Sequence, residues 1–379
     1  MRVLIAPDCF TGTLSAPEAA AAIAEGWRRQ APTDALELCP LSDGGPGFLD
    51  VLHAALGGRL VALTVPGPLG HPTPAGLLLA PDGTAYLESA QACGLHLVPQ
   101  AERDPGRTTT AGVGRLLLAA RAAGARRVVV GLGGSATNDA GAGALLALAE
   151  AAGLDIDPAK LGRGGAGLAG VSAADLKAVT ELRRDWEGIE LLVAADVDGP
   201  LLGAHGASLG FAPQKGANRD QAAQLEAALM DFAAAAIEAT GVPQRMVATP
   251  GTGAAGGLGF GLLVLGGHRV AGAEAVTDAV GFPERLARND VVVTGEGRFD
   301  WQSLRGKVVA GVAHAAMQIG TPVVVIAGQV EVGRREALSI GVEAAYPVAR
   351  NPAEVAAAIA DPAGTLAARA ERVARTWSR

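Results

Sequence analysis

Residues 1–30 have the sequence MRVLIAPDCFTGTLSAPEAAAAIAEGWRRQ, which predicts a strand, a loop and a helix in that order. The apolar run Arg2–Ala6 has the length of a short buried strand, and Pro7–Leu14 is polar and rich in turn-forming residues. Ser15 and Glu18 then have the spacing of a capping box, so we expect a helix to begin here. A strand that leads through a loop into a helix is the repeating unit of a parallel α/β sheet.

The same alternation returns near the other end of the chain, where Asp290–Thr294 is predicted as a strand and Val308–Gln318 as a helix. In the middle, short apolar runs broken by proline and glycine predict a more mixed sheet. The predicted fold class is therefore α/β with two domains, a discontinuous Rossmann-like parallel-sheet domain and an inserted mixed α/β domain. We expect residues 1–66 and 287–379 to form the first domain and 67–286 the second, with the active site in the cleft between them.

The composition excludes several classes of protein. Hydrophobic residues make up 49% of the chain, which is typical of a folded protein. The net charge of −7 and the low aromatic content of 3% argue against a nucleic-acid partner. No apolar run approaches the ~18 residues of a membrane span, and the N-terminus lacks a signal-peptide pattern. Three cysteines without CxxC spacing indicate a reducing compartment, so we expect a cytoplasmic protein. We also expect it to be a monomer or homodimer and to act on a small molecule.

Glycine accounts for 53 of the 379 residues, and four loops combine it with polar side chains. In open α/β sheets, ligands bind at the carboxyl ends of the strands, where helix N-termini favour anions. The first loop, Gly131–Gly143, could surround phosphates with its amides and hydroxyls; the residues expected to do so are Gly133, Gly134, Ser135, Thr137 and Asn138. Gly131–Ala136 also fits the GxGxxA dinucleotide fingerprint, and a tight turn with close helix packing would have the same pattern.

The second and third loops offer fewer charged groups. Gln214 and Lys215 precede Gly216 and have the position of a phosphate or carboxylate clamp, although a lone loop lysine is more often solvated. The segment Thr249–Gly259 permits close approach of the backbone to a ligand or to a neighbouring helix. Its expected nucleotide contacts are Gly253, Gly256 and Gly257.

The fourth loop, Thr294–Lys307, has a density of polar side chains that folding alone does not explain. These side chains are Glu296, Arg298, Asp300, Gln302, Ser303 and Lys307. The loop is not a P-loop, because Trp301 and Val308 occupy the positions of the required glycine and hydroxyl residue. The six histidines show no metal-ligand spacing, so we expect any metal to be Mg²⁺, held by carboxylates together with a nucleotide.

Together these loops resemble the bacterial glycerate kinase family (type I) over essentially the whole chain. The resemblance rests on Ile5–Asp8, Pro40–Gly45, Gly131–Asp139, Pro213–Gly216 and Thr294–Lys307, in that order along the sequence. It implies two α/β domains, one of them discontinuous and Rossmann-like. It also implies ATP-dependent phosphorylation of D-glycerate, mostly to 2-phosphoglycerate, with ATP and Mg²⁺ as cofactors.

Within this reaction, the charged residues have expected roles. Lys215 would neutralise charge on the transferred group, and Asp196 and Glu296 would hold Mg²⁺. Asp43 or Asp8 would accept the proton of the attacking hydroxyl, with Asp300 as the runner-up. The carboxylate of glycerate needs a cation, and the expected substrate-binding residues are Gln214, Arg298, Gln302, Ser303 and Lys307.

Three positions depart from the family's usual pattern, and one of them is Gly199, which stands where the family has an asparagine. Thr11 stands where the family has a lysine, and Pro46 stands where it has a glutamate. These losses leave open a kinase for a different small hydroxy acid, or a catalytically weakened relative that binds a sugar acid. The GxGxxA match leaves open a nicotinamide-dependent oxidoreductase, and the sequence does not decide between phosphorylation at the 2- and 3-hydroxyl.

Overall fold

A computed structural model describes residues 1–10, 12–304 and 307–378 of the chain. Thr11 and Gly306, which belong to the motifs above, lie outside these residues. The chain divides into two compact units. Unit 1 comprises Met1–Asp43, Asp50–Leu56 and Ala273–Arg379, and unit 2 comprises Gly44–Leu49 and Gly57–Gly272.

The described residues form the following strands: β1 (Arg2–Ile5), β2 (Ala35–Leu38), β3 (Arg59–Pro66), β4 (Pro72–Leu79), β5 (Thr84–Glu88), β6 (Arg127–Gly131), β7 (Glu190–Ala194), β8 (His268–Val270), β9 (Val291–Thr294), β10 (Arg298–Phe299), β11 (Val323–Ala327), β12 (Gln329–Val330) and β13 (Val342–Pro347). They form the following helices: α1 (Ala16–Gln30), α2 (Phe48–Leu56), α3 (Ala90–Cys93), α4 (Ala111–Ala122), α5 (Ala142–Ala151), α6 (Pro158–Leu161), α7 (Lys177–Asp185), α8 (Arg219–Thr240), α9 (Leu258–Val264), α10 (Gly272–Ala279), α11 (Phe282–Ala287), α12 (Val308–Ile319), α13 (Arg334–Ser339), α14 (Pro352–Ala360) and α15 (Pro362–Trp377). No helix among the described residues is both long enough and apolar enough to span a membrane.

Unit 1 is built on a five-stranded sheet in the order β13-β11-β9-β1-β2, and every pairing in it is parallel. Strands β9 and β11 are valine-rich and completely buried, as expected for strands covered on both faces. The chain winds from β1 to β2 in one direction and from β9 to β13 in the other. The switch point of this doubly wound sheet therefore lies between β1 and β9, where ligands bind in such folds.

Helix α1 covers the sheet of unit 1 and begins at the predicted capping box. The backbone N–H of Ser15 donates to Glu18 at 2.8 Å, and the N–H of Glu18 donates to the Ser15 hydroxyl at 3.4 Å. Helix α15 approaches α1 closely at Gly26, where an added Cβ would lie 1.9 Å from the Ala367 carbonyl oxygen. The buried Trp27 belongs to the same core and donates from its ring N–H to Asp34 at 2.9 Å.

Unit 2 is built on a six-stranded mixed sheet in the order β3-β4-β5-β6-β7-β8. The β3–β4 and β4–β5 pairings are antiparallel, and those from β5 to β8 are parallel. The predicted fold class, α/β with a discontinuous parallel-sheet domain and an inserted mixed domain, is confirmed.

The bounds of the units differ from the predicted 1–66, 67–286 and 287–379. Strand β3 was expected in the first domain but belongs to unit 2, because all eight of its residues pair with β4. At the other junction unit 1 resumes at Ala273, which places α11 in unit 1, where Arg285 forms an ion pair with Glu37.

Candidate functional site

Three carboxylates follow the strands at the switch point of unit 1. Asp8 lies three residues beyond β1, Asp43 follows β2, and Glu296 lies two residues beyond β9. The N–H of Asp8 donates to the Gly295 carbonyl at 2.8 Å, which joins the two loops directly after the strands end. Asp8 and Glu296 are buried, with 9% and 8% of their surfaces exposed. We call Asp8, Asp43 and Glu296 the acid cluster.

Two members of the acid cluster, Asp8 and Glu296, hold protons more tightly than ordinary carboxylates. Burial raises the pKa of Asp8 to about 8, and the negative charges of Asp43 and Glu296 add to this against the hydrogen bonds from Cys9. Burial also raises the pKa of Glu296 to about 7, against a hydrogen bond from Ser303 and the positive charge of Lys307. Titratable groups perturbed in this way, close together at a ligand-binding edge, are typical of functional sites.

Glu296 also has an unused acceptor. Its Oε1 atom is buried and has no hydrogen-bond partner among the described residues. A buried acceptor without a partner costs about 1–3 kcal/mol, so such an atom is a natural contact for a bound ligand or cation.

The rest of the Thr294–Lys307 loop is used partly for its own structure. Asp300 accepts from the backbone N–H of Gln302 at 2.8 Å, and the buried Ser303 accepts from the N–H of Asp300 at 3.1 Å. The exposed Arg298 pairs with Glu331 at 3.4 Å. Of the predicted residues in this loop, the structure brings Glu296 and Lys307 to the acid cluster, while Asp300 and Ser303 stabilise the turn.

Lys215 lies in unit 2 and is buried, with 4% of its surface exposed. Its Nζ donates to the Ser135 hydroxyl at 2.9 Å and to the Thr137 carbonyl at 2.7 Å. Burial lowers the pKa of Lys215 to about 8, and the neighbouring Cys93 and Asp139 oppose this shift. The lysine is not the solvated loop residue considered above. Its two hydrogen bonds stabilise the Gly131–Gly143 loop. The neighbouring Gln214, in contrast, is exposed.

Asp139 is a second buried support of this loop, and it was not among the predicted site residues. Its carboxylate accepts from the N–H and hydroxyl of Thr110 at 2.8 and 2.9 Å and from the N–H groups of Gly141 and Gly143 at 3.1 and 3.2 Å. The signal available in the sequence was a carboxylate directly before the helix that follows a glycine-rich loop. The neighbouring Asn138 is buried and donates to the Ser208 hydroxyl at 3.0 Å.

Several glycines of the two glycine-rich loops in unit 2 lie where segments of the chain pack closely. An added Cβ would lie 2.5 Å from the Gly44 oxygen at Gly131 and 2.6 Å from the Gly45 Cα at Gly133. In the Thr249–Gly259 segment, the corresponding nearest contacts are the Pro200 oxygen at 2.2 Å for Gly253, the Thr137 oxygen at 1.8 Å for Gly256, and the Ala140 Cα and a Leu201 side-chain carbon at 2.8 Å for Gly257. These glycines therefore serve packing between loops, which is the interpretation that the sequence alone left open, while Gly134 is exposed.

Two further carboxylates lie at the carboxyl edge of the unit 2 sheet. Asp196 follows β7 and is partly buried, so this half of the predicted magnesium pair lies in unit 2 while Glu296 lies in unit 1. Glu88 ends β5 and accepts from the N–H groups of Gly47 and Leu49 at 3.1 and 3.3 Å. Glu88 thus anchors the Gly44–Gly47 loop, a role that the sequence analysis missed. No cluster of three or more His, Cys, Asp or Glu side chains suited to hold a metal occurs within residues 1–10, 12–304 and 307–378.

The fold and the acid cluster define an α/β protein with a charged candidate site at the switch point of its parallel sheet. The sequence model of the glycerate kinase family matches residues 3–378. A glycerate kinase from Bacillus subtilis is 40% identical over 350 residues, which cover 92% of this chain and 90% of the relative. A glycerate 2-kinase from Escherichia coli is 39% identical over 330 residues, or 86% of this chain and 85% of the relative.

The same relationship holds in three dimensions. A crystal structure described as glycerate kinase 2 from Salmonella typhimurium has a TM-score of 0.80 and 37% identity, and the match covers 99% of this chain and 98% of that one. The chain belongs to the glycerate kinase family. The predicted family is confirmed, and with it the prediction that the chain is an enzyme of the kinase class.

Proposed function

We propose that this chain transfers a phosphoryl group from ATP to D-glycerate, with 2-phosphoglycerate as the favoured product. Family membership supports glycerate as the acceptor, and the Escherichia coli relative is named a glycerate 2-kinase. The observation that carries the proposal is the acid cluster, in which two carboxylates are buried beside the switch point and have raised pKa values. Phosphoryl transfer depends on positioning and on neutralising charge, so carboxylates that bind a cation and a proton are the groups it needs.

Glu296 is the residue best suited to hold Mg²⁺. Its buried Oε1 has no partner among the described residues, and the negative charges of Asp300 and Asp43 favour a cation there. Protein sites for Mg²⁺ commonly supply one or two carboxylates and leave the other positions to water and substrate phosphates, which agrees with the lack of a larger described cluster. Asp196 remains the second proposed ligand. When bound, Mg²⁺ would neutralise charge on the phosphates.

Asp8 is the proposed general base. A general base works best when its pKa is close to the operating pH, and burial brings the pKa of Asp8 to about 8. Its carboxylate would take the proton of the attacking hydroxyl, which is the 2-hydroxyl in the favoured reaction. Lys307, whose charge already acts on Glu296, would bind the carboxylate of glycerate in preference to Arg298, which is paired with Glu331.

The experiment that tests this function combines the purified chain with ATP, Mg²⁺ and D-glycerate and follows ADP release. Phosphorus NMR of the product distinguishes 2- from 3-phosphoglycerate. We expect glycerate-dependent ADP release and a 2-phosphoglycerate signal. Turnover with another hydroxy acid but not with D-glycerate would favour the kinase of different specificity, and no turnover with any of them would favour the sugar-acid binder.

A cytoplasmic location is part of the same proposal. All three cysteines are thiols, and burial raises the pKa of Cys39 to about 11 and that of Cys93 to about 12. Free thiols are typical of proteins in a reducing compartment. Fractionation of the source cells with an antibody to the chain would test the location.

A further inference from the structure

Unit 1 contains a cavity of about 410 Å³ at the carboxyl edge of its parallel sheet. Short segments that follow β1, β9, β11 and β13 line it on one side, and helices α14 and α15 line it on the other. The volume falls within the range of about 300–1,000 Å³ that is usual for small-molecule sites. Neither the resemblance nor the comparisons assign a ligand to it.

The lining of the cavity is mainly apolar with a few polar groups. The apolar side includes Leu14, Val355, Ala358, Ile359 and Leu366, and the polar groups are Thr13, Arg298, Gln329 and Thr365. No residue of α14 is buried, and Ile359 is 62% exposed, so the apolar face of this helix is incompletely covered by the described chain. A planar apolar group with a polar edge would complete such a lining, since Gln329 can both donate to and accept from it.

The cavity shares two of its loops with the acid cluster. Gly297 lines the cavity and directly follows Glu296, and Phe10 lines the cavity two residues after Asp8. Residues two apart in a chain have Cα atoms no more than about 7 Å apart. A ligand in the cavity could therefore extend a chain of phosphates to the acid cluster.

The geometry points to this cavity as the site of the adenine and ribose of ATP, with the phosphates directed toward Asp8 and Glu296. This inference rests on the proposed function, because it takes ATP as the phosphoryl donor. Glycerate has three carbons and is polar throughout, so it would leave the apolar lining uncovered, whereas a purine has two apolar faces and a polar edge. The inference also moves the nucleotide from the glycine-rich loops of unit 2, where the sequence analysis expected it, to unit 1.

Filling the cavity tests the inference against a matched control on the same helix. In the full-length chain, Ala358→Trp places a large side chain in the cavity, and Ala357→Trp places the same side chain at an exposed position one residue away. We expect Ala358→Trp to raise KM for ATP and Kd for ADP at least about tenfold, and KM for D-glycerate to stay within about twofold. Ala357→Trp should leave all three unchanged.

Two results would overturn the inference. One is unchanged ATP and ADP binding in a folded Ala358→Trp variant, and the other is a rise in KM for D-glycerate alone, which would assign the cavity to the acid. Circular dichroism checks the fold of both variants. If Ala358→Trp does not fold, the smaller substitution Ala358→Cys is used instead, with Ala357→Cys as its control. ADP should slow the labelling of residue 358 by a thiol reagent, read by mass spectrometry of its peptide, and should not slow that of residue 357. Equal labelling with and without ADP would contradict the inference.

Failure of the proposed function would be visible separately. If the wild-type chain formed no phosphoglycerate from ATP and D-glycerate, the proposed function would fail regardless of the results for the variants at residues 357 and 358. ADP protection of residue 358 would still decide whether the cavity takes the nucleotide.

Discussion

Replacing Asp8 by asparagine should stabilise the folded protein at neutral and alkaline pH. The folded-state pKa of Asp8 is raised to about 8 from its ordinary value of 3.8, mainly by burial and then by the charge of Asp43. A carboxyl whose pKa is raised in the folded state binds its proton more tightly there than in the unfolded chain. Its ionisation therefore removes stability as the pH rises from about 4 to about 8.

The size of the effect follows from the pKa values. Each unit of difference corresponds to about 1.4 kcal/mol, so a carboxyl with a pKa near 8 in the folded state costs at most about 4 kcal/mol at pH 7. We expect Asp8→Asn to raise the free energy of unfolding at pH 7 to 8 by about 2–4 kcal/mol. The side-chain oxygen of asparagine can still accept from the Cys9 N–H, which lies 2.6 Å from the Asp8 carboxylate.

The assay is urea unfolding of both proteins across about pH 4 to about pH 8.5. The stability difference should grow with pH and be small near pH 4, where the carboxyl is protonated in the folded state and partly protonated in the unfolded chain. Asp290→Asn is the matched control, because hydrogen bonds from the exposed Arg2 lower the pKa of Asp290 and its removal should bring no gain in stability. A gain for Asp8→Asn that is equal at all pH values, or no gain at pH 8, would refute the reasoning.

Three further predictions concern the other supports of the site. Glu296→Gln should reduce kcat by about 100-fold or more. Wild-type kcat should rise with pH between about 7 and about 8, as the carboxyls of Glu296 and Asp8 ionise, which a pH–rate profile measures. Lys215→Met should lower the free energy of unfolding by about 2–4 kcal/mol in denaturant titrations, because the Ser135 hydroxyl and Asp139 lose a buried cationic neighbour; unchanged stability would show that the lysine is not a support. Gly256→Ala should destabilise the fold by about 2 kcal/mol or more, since the added Cβ would lie 1.8 Å from the Thr137 oxygen. Gly311→Ala in α12 is the control, because the added Cβ would meet open space, and it should raise the free energy of unfolding by up to about 1 kcal/mol. Thermal unfolding of both variants measures the two effects.

Much of the fold could be predicted from local signals. The capping box at Ser15 and Glu18 marks the start of α1, and the valine run at Val291–Thr294 marks a buried strand. The bounds of the units were harder to predict, because they depend on which strands pair. Strand β3 has the same kind of apolar run as the strands of unit 1, and only its long-range pairing with β4 assigns it to unit 2.

The site was predictable in its residue types but less so in their roles. Asp8 and Glu296 follow strands at a sheet's carboxyl edge, a pattern that the sequence shows directly. The burial of Lys215 is not visible in the sequence, because it depends on Ser135 and Thr137, which are about 80 residues away in the chain. The same limit applies to the glycines, since a glycine that approaches a ligand and one that approaches another backbone segment have the same sequence pattern.

The cavity beside α14 could not be predicted from the sequence. Its lining comes from segments spread from Phe10 to Leu366, and most of these residues are apolar. Apolar residues on a terminal helix are usually taken as core, so only the structure shows that part of this face is left uncovered.

We propose that the acid cluster of unit 1 carries out the phosphoryl transfer. The most direct test is kcat for ADP release with saturating ATP and D-glycerate, measured for wild type, Asp8→Asn and Glu343→Gln. Glu343 is an exposed carboxylate of the same unit, so its variant controls for the loss of one charge. We expect a loss of about 100-fold or more in kcat for Asp8→Asn and wild-type turnover for Glu343→Gln. A folded Asp8→Asn variant with kcat close to that of the wild type would contradict it.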